Sequence, residues 1–244
     1  MRRGALLAAM VAAATAACAA PLAADRSAPT VFAGSSLAEV VAQVDPAARA
    51  SFGASSRLEQ QIRQGAPFDV FLSASPTHTQ ALYRERLVRS PVVFATNALV
   101  LIVPRANPAR IGSVQDLARR PTLRLVLAAP SVPIGGYTRE ALRRLGLSAV
   151  LGRVVSLEPD VKGIVGKVVL GEADAGFVYT TDVRPIRAVV RVIRLPASAQ
   201  PEVVYEAAIA THPRNPATAR AFLEALLGSK GRASLRAAGF GVPR

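Results

Sequence analysis

Two pairs of adjacent serines mark the start of amphipathic stretches: Ser35 and Ser36 follow the apolar run Thr30 to Gly34, and Ser55 and Ser56 follow Gly53-Ala54. The second serine of each pair precedes a glutamate by three residues, Glu39 and Glu59, which is the S-x-x-E spacing of a helix capping box. Capping alone would account for one such pair. Two pairs at two helix starts point further, because a helix N-terminus offers unpaired amides and partial positive charge to an anion. Neutral hydroxyls can complete the shell without any full cation. A hydrogen bond to a charged group contributes about 1.5 to 3 kcal/mol, so five to seven of them give roughly 10 kcal/mol before ordering costs.

Three further places fit that chemistry. Pro130 to Tyr137 is a turn-rich loop running into a helix, and its glycines, Gly135 and Gly136, would let a ligand approach the backbone. Val161 follows Pro159-Asp160 at another helix entry. Tyr179 closes an apolar strand, a position where a lone tyrosine serves packing more often than ligand contact.

The elements that would position these residues follow from periodicity. Strands are expected over Thr30 to Gly34, Phe68 to Ser73, Ala98 to Val103, Leu123 to Ala128, Val154 to Leu157 and Ala175 to Tyr179. Helices are expected between them, over Leu37 to Val44, Pro76 to Arg86, Val114 to Arg119, Tyr137 to Leu145 and Ile164 to Leu170. Such alternation implies an α/β protein with parallel sheets covered on both faces, and a ligand beyond the carboxyl ends of the strands. Two successive strands, Val189 to Leu195 and Val203 to Ala210, then precede two helices, Pro216 to Leu227 and Lys230 to Ala238. A chain that crosses between two lobes would do this. The expected division is 1–24 as a signal peptide, 25–95 with 206–244 as the first lobe, and 96–205 as the second.

Composition supports a folded chain: 244 residues, 51% hydrophobic and 19% charged, enough for two lobes. The formal charge of +14 could suggest nucleic acid, but aromatics are 5%, tryptophan is absent and no basic tract is interleaved with rings. Arginines such as Arg139, Arg143 and Arg144 read as solvated helix faces. Nucleic acid is therefore not an expected partner.

Arg2 and Arg3, the apolar stretch from Ala5 to Ala17 and the small residues up to Ala24 read as an export signal cleaved after Ala24. The stretch is shorter than the roughly 20 residues a membrane helix needs. Cys18 is the only cysteine, which excludes an internal disulfide. It sits in a faint lipoprotein-like context, but Thr15 occupies a position where a large aliphatic is usual, so the cleaved, unanchored form is preferred.

Taken together, Val31 to Leu37, Gln61 to Ala74, Val132 to Tyr137 with Glu140 to Leu142, and Gly171 to Tyr179 resemble the periplasmic molybdate-binding proteins of ABC transporters. The resemblance covers nearly all the chain past the signal. It implies a two-lobed periplasmic binding protein type II fold with a hinge, molybdate or tungstate as ligand, and delivery to a membrane permease with its ATPase. Its ligand contacts, carried over by position, are Ser36, Ser55, the amides of Ile134 and Val161, and the Tyr179 hydroxyl. It implies a periplasmic monomer with no cofactor, and no metal beyond the oxyanion's own molybdenum.

Three features depart from that pattern. The segment from Ser36 to Phe52 is several residues short, Ile134 stands where a small residue is common, and Gly163 and Gly166 interrupt an expected helix.

A site made only of donors disfavours protonated phosphate, whose hydrogen would meet no acceptor. Sulfate and molybdate are both acceptor-only dianions, so donors alone do not separate them, and sulfate or another small anion is the alternative ligand. A serine hydrolase is the more distant rival: G-x-S-x-G and P-loop patterns are absent, and the only histidines, His78 and His212, read as solvated. No enzymatic activity is expected.

Overall fold

A computed structural model describes residues 28–243; the expected signal peptide and Cys18 lie outside those residues. The chain opens with β1 (Thr30–Gly34), a 3-10 turn (Ser35–Leu37), α1 (Ala38–Val44), β2 (Arg49–Gly53), α2 (Ser55–Arg63), β3 (Val70–Ser73), α3 (Pro76–Arg84) and β4 (Val92–Asn97). It continues through β5 (Leu99–Pro104), α4 (Asp116–Arg119), β6 (Leu125–Ala128), α5 (Pro133–Arg144), β7 (Val154–Glu158), α6 (Val161–Val169), β8 (Ala175–Tyr179), α7 (Thr180–Val183) and β9 (Val190–Arg194). It returns through β10 (Val203–Ile209) and ends in α8 (Pro216–Leu227) and α9 (Ser229–Ala238).

The strands form two five-stranded sheets of matching plan, in the orders β2-β1-β3-β10-β4 and β7-β6-β8-β5-β9. In the first, β1 pairs parallel with β2 and β3, and β10 runs antiparallel to β3 and β4. In the second, β6 pairs parallel with β7 and β8, and β5 runs antiparallel to β8 and β9. One strand per sheet thus runs against the other four. The fold is a two-lobed α/β architecture of mixed, mostly parallel sheets.

The central strands are largely apolar because both faces are covered: every residue of β3, β6 and β8 is buried. The edge strand β2 exposes Phe52. Its mixed pattern explains why periodicity does not announce it, and the same holds for β4, a strand beyond those expected. The shortened segment before Phe52 trims α1 to seven residues, yet β2 still lies in register with β1 from Thr30↔Arg49 to Gly34↔Gly53. The ends of both strands, and hence Ser36 and Ser55, therefore reach the same edge of the sheet.

The other two departures are also absorbed. Ile134 is buried inside the second lobe, 1% exposed. The helix α6 runs unbroken through both glycines. At Gly163 an added Cβ would lie 2.8 Å from Glu158 Oε2, so the missing side chain lets α6 pack onto the end of β7.

The lobes are joined through β4 and β10, which pair with each other, with a break in register between Tyr205 and Glu206. Beyond β4, Gln200 brackets Leu99: its Oε1 accepts from the Leu99 amide at 3.0 Å and its Nε2 donates to the Leu99 carbonyl at 2.8 Å.

Candidate functional site

Four helical starts meet where the two sheets face each other: the 3-10 turn at Ser35 and the helices α2, α5 and α6. Gly34, Ser35, Ser36, Gly53, Ala54, Ser55 and Ala74 line the cleft from the first lobe. Val132, Pro133, Ile134, Asp160, Val161 and Tyr179 line it from the second. The empty space between them is about 250 Å3. All five residues singled out in the sequence, Ser36, Ser55, Ile134, Val161 and Tyr179, line this one cleft. No lysine or arginine does, among the described residues.

Each donor is left available for a different local reason. Ser55 opens α2 and is 1% exposed. Its Oγ accepts from the Ala74 amide at 3.0 Å, which leaves the hydroxyl hydrogen for an acceptor in the cleft. Ser36 lies within 2.9 Å of the Tyr205 hydroxyl. At α5, Pro133 has no N–H and no side chain caps the helix, so the first-turn amides from Ile134 onward lack that partner. At α6, Asp160 Oδ1 accepts from the Lys162 and Gly163 amides at 2.8 and 3.1 Å. That cap leaves the preceding amide, Val161, to face the cleft.

Tyr179 is the sharpest feature. It is 2% exposed, and its hydroxyl is buried without a hydrogen-bond partner. Burial pushes the phenol well above its ordinary pKa, so it stays a neutral donor. Leaving such a group unpaired costs about 1 to 3 kcal/mol, a cost that an acceptor in the cleft would remove.

Several expectations need correction. Neither capping box forms: no side chain caps α1 or α2. Ser36 turns instead to Tyr205, 169 residues away, and Glu59 is drawn to His78 at 2.5 Å and to Arg63 at 2.7 Å. His78 is therefore not solvated but 7% exposed, while His212 is exposed as expected. Gly135 serves the chain's own packing rather than a ligand, because a Cβ there would collide with the carbonyls of Ala128 and Ala129. Arg139 is not a solvated arginine. Its Nη1 donates to the carbonyls of Ala128 at 3.1 Å and Gly135 at 2.9 Å, tying β6 to the start of α5, and burial lowers its pKa.

Sequence reasoning also missed Asp160, the one carboxylate lining the cleft among the described residues. Its Oδ2 accepts from Ser35 Oγ at 3.2 Å, so the Ser35 hydroxyl is occupied across the lobes. The signal was present in Asp160-Val161-Lys162-Gly163, where an aspartate before a helix is a strong N-cap.

Known proteins share this sequence pattern and architecture. The family model for bacterial extracellular solute-binding proteins matches residues 29–241. The molybdate-binding protein ModA of Mycobacterium tuberculosis is 34% identical over 223 residues, 87% of this chain and 84% of that one. The solved periplasmic molybdate-binding protein of Azotobacter vinelandii superposes with a TM-score of 0.79 at 25% identity, covering 88% of this chain and 100% of that one. The sulfate-binding protein SubI of M. tuberculosis shares the fold at a TM-score of 0.75 with 15% identity, over 87% of this chain and 86% of that one. By sequence and by architecture, the chain belongs to the family of bacterial extracellular solute-binding proteins.

Proposed function

We propose that the protein captures molybdate, or tungstate of the same shape and charge, between its lobes and delivers it to the membrane permease and ATPase of an ABC transporter. Its expected setting is the periplasm, after removal of residues 1–24, with the lobes divided as 25–95 plus 206–244 and 96–205, and the protein working as a monomer without a cofactor.

The observation that carries this reading is the buried, unpartnered hydroxyl of Tyr179, a residue lining the cleft together with Ser36, Ser55 and the starts of α5 and α6 at Ile134 and Val161. That donor set suits an anion that only accepts hydrogen bonds. The M. tuberculosis relative named for molybdate supports that ion over sulfate, because the sulfate-binding neighbour is alike in fold alone.

A thermal-shift panel of molybdate, tungstate, sulfate, phosphate and acetate tests the proposal. Molybdate and tungstate are expected to raise the melting temperature of the mature protein by several degrees, with sulfate weaker and phosphate and acetate without effect. Stabilisation by sulfate alone would overturn the ligand assignment and leave the fold intact.

A further inference from the structure

We propose that Tyr205, on the strand returning between the lobes, is a positioning residue that sets the direction of the Ser36 hydroxyl and so turns its hydrogen toward the bound anion. This rests on the oxyanion reading of the cleft. Tyr205 is fully buried and is not among the cleft-lining residues, so it acts through Ser36 and not on the ligand.

The direction follows from what each neighbour can donate. Asn97 Oδ1 accepts from the Ala98 amide at 2.9 Å, which fixes the side-chain amide the other way round, with Nδ2 toward Tyr205. Nδ2 donates to Thr181 Oγ1 at 3.0 Å and to the Tyr205 hydroxyl oxygen at 3.4 Å. With a donor already facing that oxygen, the phenol hydrogen has the Ser36 oxygen, at 2.9 Å, as its acceptor. Ser36 then accepts from Tyr205 and its own hydrogen points to the cleft. In the reverse arrangement the Ser36 hydrogen would point at Tyr205, the phenol hydrogen would face the Asn97 NH2, and the anion would lose a donor. The chain Asn97 to Tyr205 to Ser36 therefore has one satisfied polarity, and each link strengthens the next.

The phenol is itself held still. Its ring meets Phe94, Tyr179 and Phe240 edge to face, with centroids 6.1, 6.0 and 5.2 Å away. Tyr205 thus meets one cleft-lining residue from each lobe, Ser36 by hydrogen bond and Tyr179 by ring packing, from the strand that joins the lobes. Burial raises the Tyr205 pKa far above that of an ordinary phenol, so the relay keeps its hydrogen at any pH the protein meets.

A double-mutant cycle read by calorimetry with sodium molybdate tests this. Ser36→Ala is expected to weaken binding about thirtyfold and Tyr205→Phe about tenfold, on the scale of one hydrogen bond to a charged group. The double variant is expected to bind no more weakly than Ser36→Ala, because Tyr205 acts only through that hydroxyl. Unchanged affinity in Tyr205→Phe, or losses that multiply in the double variant, would overturn the relay while leaving the cleft assignment standing. Unchanged affinity in Ser36→Ala would overturn the cleft assignment itself. Should Tyr205→Phe fail to fold, Asn97→Ala serves in its place, with a several-fold loss that disappears in the Ser36→Ala background if the relay holds and persists there if it does not.

Discussion

Ser35 in the first lobe donates its hydroxyl to the Asp160 carboxylate in the second, 125 residues away, at 3.2 Å across the mouth of the cleft. Asp160 does two jobs at once. One oxygen caps α6 through the Lys162 and Gly163 amides, and the other accepts the bond from Ser35 across the lobes. Both oxygens of the carboxylate are thereby occupied, which would moderate its repulsion of a dianion in the proposed site.

Removing the bond across the lobes should loosen closure without touching the donors. Ser35→Ala is expected to weaken molybdate binding about three- to tenfold, on the scale of one partly exposed hydrogen bond to a charged group. Calorimetry reads the affinity, and small-angle scattering of the ligand-free protein should show a larger radius of gyration. A variant with wild-type affinity and dimensions would show that this contact follows closure and does not hold it.

Tyr179→Phe should weaken binding without lowering stability. The hydroxyl has no partner in the ligand-free protein, so its removal is expected to leave the melting temperature unchanged or raise it by a few degrees. Molybdate binding should fall tenfold or more, on the order of one lost charge-assisted hydrogen bond. A drop in ligand-free stability would instead place a protein partner on that oxygen.

The same burial sets an alkaline limit. Tyr179 and Tyr205 both have phenol pKa values raised by burial, so in the folded protein they remain protonated where the unfolded chain has begun to ionise. The stabilisation is complete below the unfolded value, about pH 10, and is lost as pH rises toward the folded values. Denaturant melts should therefore show stability falling steeply between about pH 10 and 12. The slope should be shallower in Tyr179→Phe, which carries one such group fewer.

How far the site could be read from sequence follows from the range of the contacts. Gly34, Ala128 and Tyr179 end apolar runs, so local pattern places them at the strand tips, where an α/β sheet binds its ligand. Helix entries at Ser55 and Val161 are likewise local. The capping boxes fail because local spacing competes with partners it cannot reveal: Tyr205 reaches Ser36 from across the chain, and His78 draws Glu59 away. Arg139 illustrates the same gap, since nothing in its own segment shows that the carbonyl of Ala128 lies beneath it. Edge strands β2 and β4 carry mixed patterns because one side meets water.

Gly135 offers the strictest test of how the Ile134 amide is placed. The chain leaves β6 at Ala128, turns through Pro130 to Val132 and enters α5 so tightly that a Cβ at 135 would stand 2.7 Å from the Ala128 carbonyl oxygen and closer still to that of Ala129. Those atoms are backbone and cannot swing aside. The Ala128 carbonyl is also held by Arg139, which bonds the carbonyl of Gly135 as well. Gly135→Ala must therefore push the first turn of α5 away from β6, carrying the Ile134 amide with it. The expected cost is about 2 to 4 kcal/mol of stability, typical of overpacking at a site that cannot relax, read by denaturant unfolding. Molybdate affinity should fall at least tenfold in the fraction that stays folded, because a displacement of this kind removes one donor and widens the cleft. Gly136→Ala is the control: the nearest atom to a Cβ there is the Pro130 carbonyl oxygen at 3.8 Å, an ordinary contact, so both stability and affinity should stay near those of the wild type.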